Sequence, residues 1–182
     1  RRGYRFVGPV APLPEKAASG AAGIRPRSNL PEPLTSFVGR EHELAELRKL
    51  LADNRLLTLT GTGGVGKTRL AMRVAADVLD AYADGVWLVE LSALRNPDHV
   101  VQGATTALGL KEQPGRSLVQ TLSEHLRARH LLLVLDNAEH LLAACAALAD
   151  ALLRRCPKVT LLVTSREALG VPGTSLDTAR GF

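Results

Sequence analysis

At 182 residues, 46% hydrophobic and 23% charged, the chain has room for one domain of ordinary size plus tails and the composition of a folded globular protein. No apolar run approaches the roughly 18 residues of a membrane span, and no signal-peptide pattern opens the chain, so no membrane contact and a cytoplasmic location are expected. The net charge of +5 belongs to the N-terminus, where Arg1, Arg2, Arg5, Lys16, Arg25 and Arg27 face Glu15 alone; from residue 30 onward the charges cancel, leaving the rest without the basic balance of a nucleic-acid-binding core.

Taken in order, Arg2 to Val7 alternates enough for one strand, which Pro9 ends. Its Gly3-Tyr4-Arg5-Phe6 resembles the closing strand of the wing in winged-helix DNA-binding domains of bacterial response-regulator-type transcription factors. The resemblance implies that residues 1–8 end an upstream DNA-binding module, and a start at Arg rather than Met fits a piece of a longer protein. Residues 9–33, rich in Pro, Ala, Gly and Ser without an apolar period, are expected as an extended linker.

At Leu34 the pattern changes, and residues 34–173 form the expected domain. Phe37-Val38-Gly39-Arg40-Glu41 precedes a helix with Leu44, Leu47 and Leu51 on one face. Arg55 to Thr60 is a short β-leaning run. The next eight residues, Gly61, Thr62, Gly63, Gly64, Val65, Gly66, Lys67 and Thr68, fill the P-loop pattern G-x-x-x-x-G-K-[ST] without a mismatch. The glycines let the backbone turn its N–H groups toward phosphate oxygens, Lys67 supplies a point charge to the β- and γ-phosphates, and Thr68 offers a hydroxyl to Mg²⁺. Arg69 follows on a helix carrying Leu70, Val74, Ala75 and Val78, whose positive end faces the anion. The same stretch contains G-x-G-x-x-G (Gly61, Gly63, Gly66), and Glu90 closes the run VWLVE about where a dinucleotide fold places its ribose-binding acid. A Rossmann-type fold is therefore an alternative, against which Lys67-Thr68 speaks, because only a triphosphate-Mg²⁺ site requires them.

Gly85 to Leu91 is a second strand, apolar enough to be buried on both faces. Asn96 or Asp98 caps a helix through Leu108, and Ser117 caps another through Arg129. His130 to Asp136 (HLLLVLD) is the Walker B form, placing a carboxylate on the ligand-binding edge of an α/β sheet, where it can meet Mg²⁺. Asn137 stands where many ATPases have a second acid. Glu139 is a candidate base if the turn brings it round, and equally a first-turn helix acid. A helix over Ala138–Cys156 carries Leu141, Cys145, Leu148, Leu152 and Cys156 as its core stripe, so both cysteines read as small core residues. A fourth strand, Lys158 to Thr164, delivers Thr164-Ser165-Arg166 at its tip, and residues 174–182 are a tail with no legible structure.

The Val38-Gly39-Arg40-Glu41 element, the P-loop, the Walker B strand and the Thr-Ser-Arg tip, in this order, resemble the STAND class of signalling ATPases, which includes NB-ARC domains. The resemblance implies an α/β three-layer P-loop NTPase with a parallel sheet of order 2-3-4-1 and a fifth strand missing or truncated. It makes Val38, Gly39 and Arg40 base-side contacts, puts the phosphates on Gly61 to Arg69 and Mg²⁺ between Thr68 and Asp136, and makes Arg166 the γ-phosphate sensor. A guanidinium suits that task because its fork pairs phosphate oxygens bidentately. Lys67, Asp136, Glu139 and Arg166 are the catalytic candidates. Asp-Asn-x-Glu-His resembles the variant of bacterial regulators, implying slow ATP hydrolysis and an ATP/ADP switch of a transcriptional regulator. Its expected partners are nucleotide, DNA through the upstream module, and further copies of itself when ATP-bound. The alternatives are an ATPase or kinase whose purpose is turnover, and an interaction module with a dead site, which Lys67, Thr68 and Asp136 disfavour.

Overall fold

Three of the strand sequences are apolar on both faces, which only a sheet covered on both sides tolerates. In the computed structural model, which describes residues 27–32, 39–112, 114–171 and 177–180, they lie side by side in the middle of a parallel sheet. Along the chain run α1 (Glu41–Asp53), β1 (Leu56–Thr60), α2 (Lys67–Asp77), β2 (Val86–Glu90), α3 (His99–Ala107), α4 (Leu118–Leu126), β3 (Leu131–Asp136), α5 (Leu142–Arg155), β4 (Val159–Ser165) and β5 (Asp177–Arg180). The sheet order is β2-β3-β4-β1-β5, and all its pairings are parallel.

Alternation along β3 sorts the core into two layers. Leu131, Leu133 and Leu135 pack with Leu122, Leu126, Leu148 and Leu152 of α4 and α5, whereas Leu132 and Val134 pack with Leu44, Leu47, Leu51, Leu70 and Val74 of α1 and α2. The result is the expected three-layer α/β architecture with order 2-3-4-1. Cys145 and Cys156 are both buried and free, and burial pushes the Cys145 thiol up to about 11, as befits core residues.

The structure departs from the sequence reading at four places. The fifth strand is present, if short: Asp177–Arg180, within the stretch expected as a tail, pairs with Leu57–Thr60 of β1. Its four residues carry no apolar run, so backbone pairing rather than pattern defines it. The end of the expected linker is docked: Arg27 O accepts from Val86 N at 2.9 Å, Ser28 bridges Val86, and the Asn29 side chain accepts from Leu88 N and donates to Leu88 O at 2.6 and 2.9 Å. An edge strand with free backbone groups invites such a cover. Gly85 makes room for it, since a Cβ there would lie 1.8 Å from Arg27 O. The helix expected from Ala138 begins only at Leu142, because Asn137 is left-handed (φ 64) and is followed by a 3-10 turn over Ala138–His140. The helix after Ser117, which does form a capping box with Gln120, stops at Leu126 rather than Arg129, and Arg129 and the His130 amide bind Asp84 instead. The strand over residues 1–8, most of the linker, and Val38 lie outside the described residues.

Candidate functional site

The P-loop joins β1 to α2 at the carboxyl edge of the sheet, and its backbone explains its composition. Gly64 and Gly66 sit at φ 81 and 87, a region an L side chain enters only with strain, and Gly66 is the N-cap of α2. The first turn of α2 therefore presents its free N–H groups at the loop. Lys67 Nζ folds back and donates to Gly61 O and Thr62 O at 2.8 and 2.9 Å, while Arg69 is exposed on the same turn.

Two strands away, β3 ends on Asp136. Its Oδ1 accepts from Thr68 Oγ1 at 2.8 Å and from Thr164 Oγ1 at 2.6 Å, and Thr164 Oγ1 in turn accepts from Asn137 N at 2.9 Å. Three elements, the start of α2 and the ends of β3 and β4, thus converge on one carboxylate oxygen. The strand order makes this inevitable: β4 lies between β3 and β1, with Leu135 opposite Val163, so Thr164 stands beside Asp136.

Next to this triad, the left-handed Asn137 turns the chain so that Ala138 is buried and Glu139 reaches Arg166, with Oε1 3.0 Å from Nε. Arg166 Nη2 lies 3.8 Å from where a Cβ on Gly63 would stand, placing the guanidinium against the P-loop. Arg95, Asn137, Glu139, His140, Arg166 and Glu167 line an open cavity of about 460 Å³ there. At the start of α1, Gly39 and Arg40 are both left-handed, at φ 84 and 64, and Arg40 Nη1 is buried with no hydrogen-bond partner among the described residues.

The structure brings Lys67, Thr68, Asp136 and Arg166 together around the P-loop. Glu139 is brought to Arg166, which neither reading of it foresaw. The part of Thr164 in holding Asp136 was also missed; its signal, a threonine in register with an acid, is visible only once the strand order is known. Glu90 is the counter-case. In a dinucleotide fold the second strand adjoins the first, whereas here β3 and β4 separate β2 from β1, so Glu90 lies three strand positions from the glycine loop. The Rossmann alternative falls on that observation. Among the described residues no cluster of three or more His, Cys, Asp or Glu forms a cage for a metal, and no helix is long and apolar enough to cross a membrane.

The AAA domain family model matches residues 48–171, from α1 to just beyond β4. An uncharacterized protein of Mycobacterium tuberculosis is 49% identical over 140 residues, which cover 77% of this chain and 36% of that protein. A Mycobacterium tuberculosis protein named as an HTH-type transcriptional regulator is 50% identical over 127 residues, covering 70% of this chain and 14% of its own length. The regulatory protein AfsR of Streptomyces griseus is 32% identical over 155 residues, covering 76% and 15%. The chain thus spans about a third or less of the curated relatives it matches. Among solved structures, a STAND protein with a tetratricopeptide repeat sensor from Pyrococcus horikoshii shares the fold at TM-score 0.54 and 17% identity, over 80% of this chain and 23% of that one. Cdc6p from Pyrobaculum aerophilum does so at TM-score 0.54 and 23% identity, over 76% and 41%. With the glycine loop, the Asp136 strand end and the sheet order in agreement, the chain belongs to the AAA domain family of P-loop ATPases.

Proposed function

We propose that this chain is the ATP/ADP-responsive switch domain of a longer, cytoplasmic transcriptional regulator. The observation that carries the nucleotide reading is the convergence of Thr68 and Thr164 on Asp136 beside the P-loop. A hydroxyl and a carboxylate so placed fit a divalent cation that keeps waters and substrate oxygens among its ligands, as Mg²⁺ does, rather than one enclosed by protein. The rest of the site fits the nucleotide. The open glycine loop offers backbone donors, Lys67 sits on two loop carbonyls that a phosphate can replace as its partner, and Arg40 Nη1, buried with no partner among the described residues, is free to take an acceptor of the base beside Gly39, with Val38 the third base-side candidate. Mg²⁺, when bound, neutralises charge on the β- and γ-phosphates.

This chain's own residues then divide the labour. Gly61 to Gly66 with Lys67 orient the phosphates, Thr68 and Asp136 fix the cation, and Arg166 stands by the P-loop to recognise the third phosphate. Asn137 carries no carboxylate to draw a proton from water, which favours slow ATP hydrolysis and a switch over rapid turnover. The relatives named as regulators support the regulatory half of the reading. With it goes the expectation that an upstream module binds DNA and that ATP favours self-association.

Calorimetry with Mg-ATP and Mg-ADP tests the reading, with NAD as control. Saturable binding of both adenine nucleotides is expected, weakened about 100-fold in Lys67→Ala by loss of a charge-assisted contact. A folded wild-type chain that binds NAD instead, or none of the three, would overturn it.

A further inference from the structure

Arg166 poses a physical problem that Glu139 solves. An arginine at a strand tip, 65% exposed, samples many rotamers, and ordering it at the moment of binding weakens any contact it makes. Glu139 is better sheltered, at 22% exposed, and rigidly placed. The left-handed Asn137 and the buried Ala138 fix the 3-10 turn, Leu141 N closes it on Ala138 O at 2.9 Å, and His140 Nε2 is 2.8 Å from Leu94 O. The ion pair engages Nε, at the root of the guanidinium, and among the described residues it leaves both Nη groups available, Nη2 being the one against Gly63.

We propose that Glu139 is a positioning residue: it holds Arg166 by Nε over the P-loop so that the Nη groups distinguish ATP from ADP. The inference rests on the nucleotide reading above and deepens it, replacing the role of general base with that of an anchor. It also gives the turn at Asn137 a purpose, since a helix continuing directly from Asp136 would not place Glu139 as this 3-10 turn does. Pre-ordering the guanidinium turns a mobile surface charge into a fixed fork at the place where the two nucleotides differ.

The test measures Mg-ATP and Mg-ADP affinities by calorimetry on the whole chain and its variants. In wild type, ATP should be preferred over ADP. Arg166→Gln should reduce the ATP/ADP affinity ratio about tenfold, Glu139→Gln by a similar factor, and the double variant no further, because the two residues act as one unit. Glu139→Asp, which keeps the charge on a shorter stem, should recover part of the ratio. Glu124→Gln removes a carboxylate on α4, outside this cavity, and should leave the ratio unchanged. Equal losses for ATP and ADP in Glu139→Gln would reduce Glu139 to a structural residue. An intact ratio with turnover lost at saturating ATP would make it the base after all. Either result overturns the proposal, as does a wild type without preference. A wild type that binds neither nucleotide would bring down the nucleotide reading itself, whereas failure of the ratio test in a chain that binds both removes only the role of Glu139.

Discussion

The two ends of the parallel sheet satisfy their polar groups in opposite ways. At the end where the strands begin, charged side chains tie down backbone groups. Arg55 donates to the carbonyls of Leu153, Cys156 and Val159 at 3.0, 2.6 and 3.3 Å, closing the C-terminus of α5, and Asp84 accepts from Arg129 Nη1 and from the His130 amide. At the other end, Lys67 rests on two loop carbonyls, and the remaining functional side chains meet one another. Thr68 and Thr164 meet on Asp136, and Glu139 meets Arg166 on the rim of a cavity. The carbonyls that Arg55 holds belong to packed elements and cannot leave without local unfolding, but side-chain partners on separate elements, like the loop carbonyls under Lys67, can be exchanged for a ligand. The first arrangement is a staple; the second is a site.

Asp136→Asn probes the second arrangement most sharply. The amide keeps an oxygen to accept from Thr68 and Thr164, so folding stability should stay within about 1 kcal/mol of wild type by urea unfolding. The charge that fixes the cation is gone, so Mg²⁺-dependent nucleotide affinity should fall about 100-fold and cease to respond to Mg²⁺ titration. A large loss of stability with affinity retained would place Asp136 among the staples instead.

Arg55→Ala breaks the first arrangement and should give the reverse profile. Three carbonyls lose a charged donor, and, since the guanidinium is partly exposed, the expected cost is about 2 kcal/mol in urea unfolding. Nucleotide affinity of the folded fraction should match wild type. A drop in affinity parallel to the drop in stability would mean that the two ends are coupled through β1 and β4 and are not separable units.

The comparison also explains what the sequence could disclose. The strands, the helices and the P-loop were legible because each is written locally, as apolar runs, as helical spacing in Leu44, Leu47 and Leu51, and as eight consecutive residues of fixed type, whereas the strand order came only with the family resemblance. Lys67, Thr68 and Asp136 could be singled out as candidates for the same reason, each lying at the edge of a recognisable element, whereas Arg166 was a candidate only through the resemblance. What escaped notice depends on pairs distant in sequence: Asn29 on Leu88, Arg55 on the end of α5, Thr164 beside Asp136, and Glu139 on Arg166. Asn137 shows the limit within a single helix. The stripe from Leu141 to Cys156 was correctly read as core, but the stripe carries no mark of one left-handed residue that delays the helix by four positions. β5 escaped for a different reason, since an edge strand held by the β1 backbone needs no apolar run of its own.

The smallest expected effect lies in the Asp84 staple, and its signature is in the pH dependence. The hydrogen bond from Arg129, and then that from the His130 amide, hold the Asp84 carboxyl below the ordinary aspartate range. A group whose folded pKa lies below its unfolded value contributes stability that is fully present above the unfolded value, about 4, and is lost as pH falls through the folded one. Asp84→Asn removes that contribution, so the variant should be less stable than wild type by about 1 kcal/mol at pH 7, a modest figure because Arg129 is half exposed. Below about pH 4 wild type should lose stability faster than the variant, and the gap between their urea midpoints should close toward pH 3. A gap that stays constant from pH 7 to pH 3 would mean that Asp84 acts through its shape and hydrogen bonds alone, without its charge. Nucleotide affinity is expected to be indifferent to this change at pH 7, because Asp84 stands at the beginning of β2, at the opposite end of the sheet from Asp136.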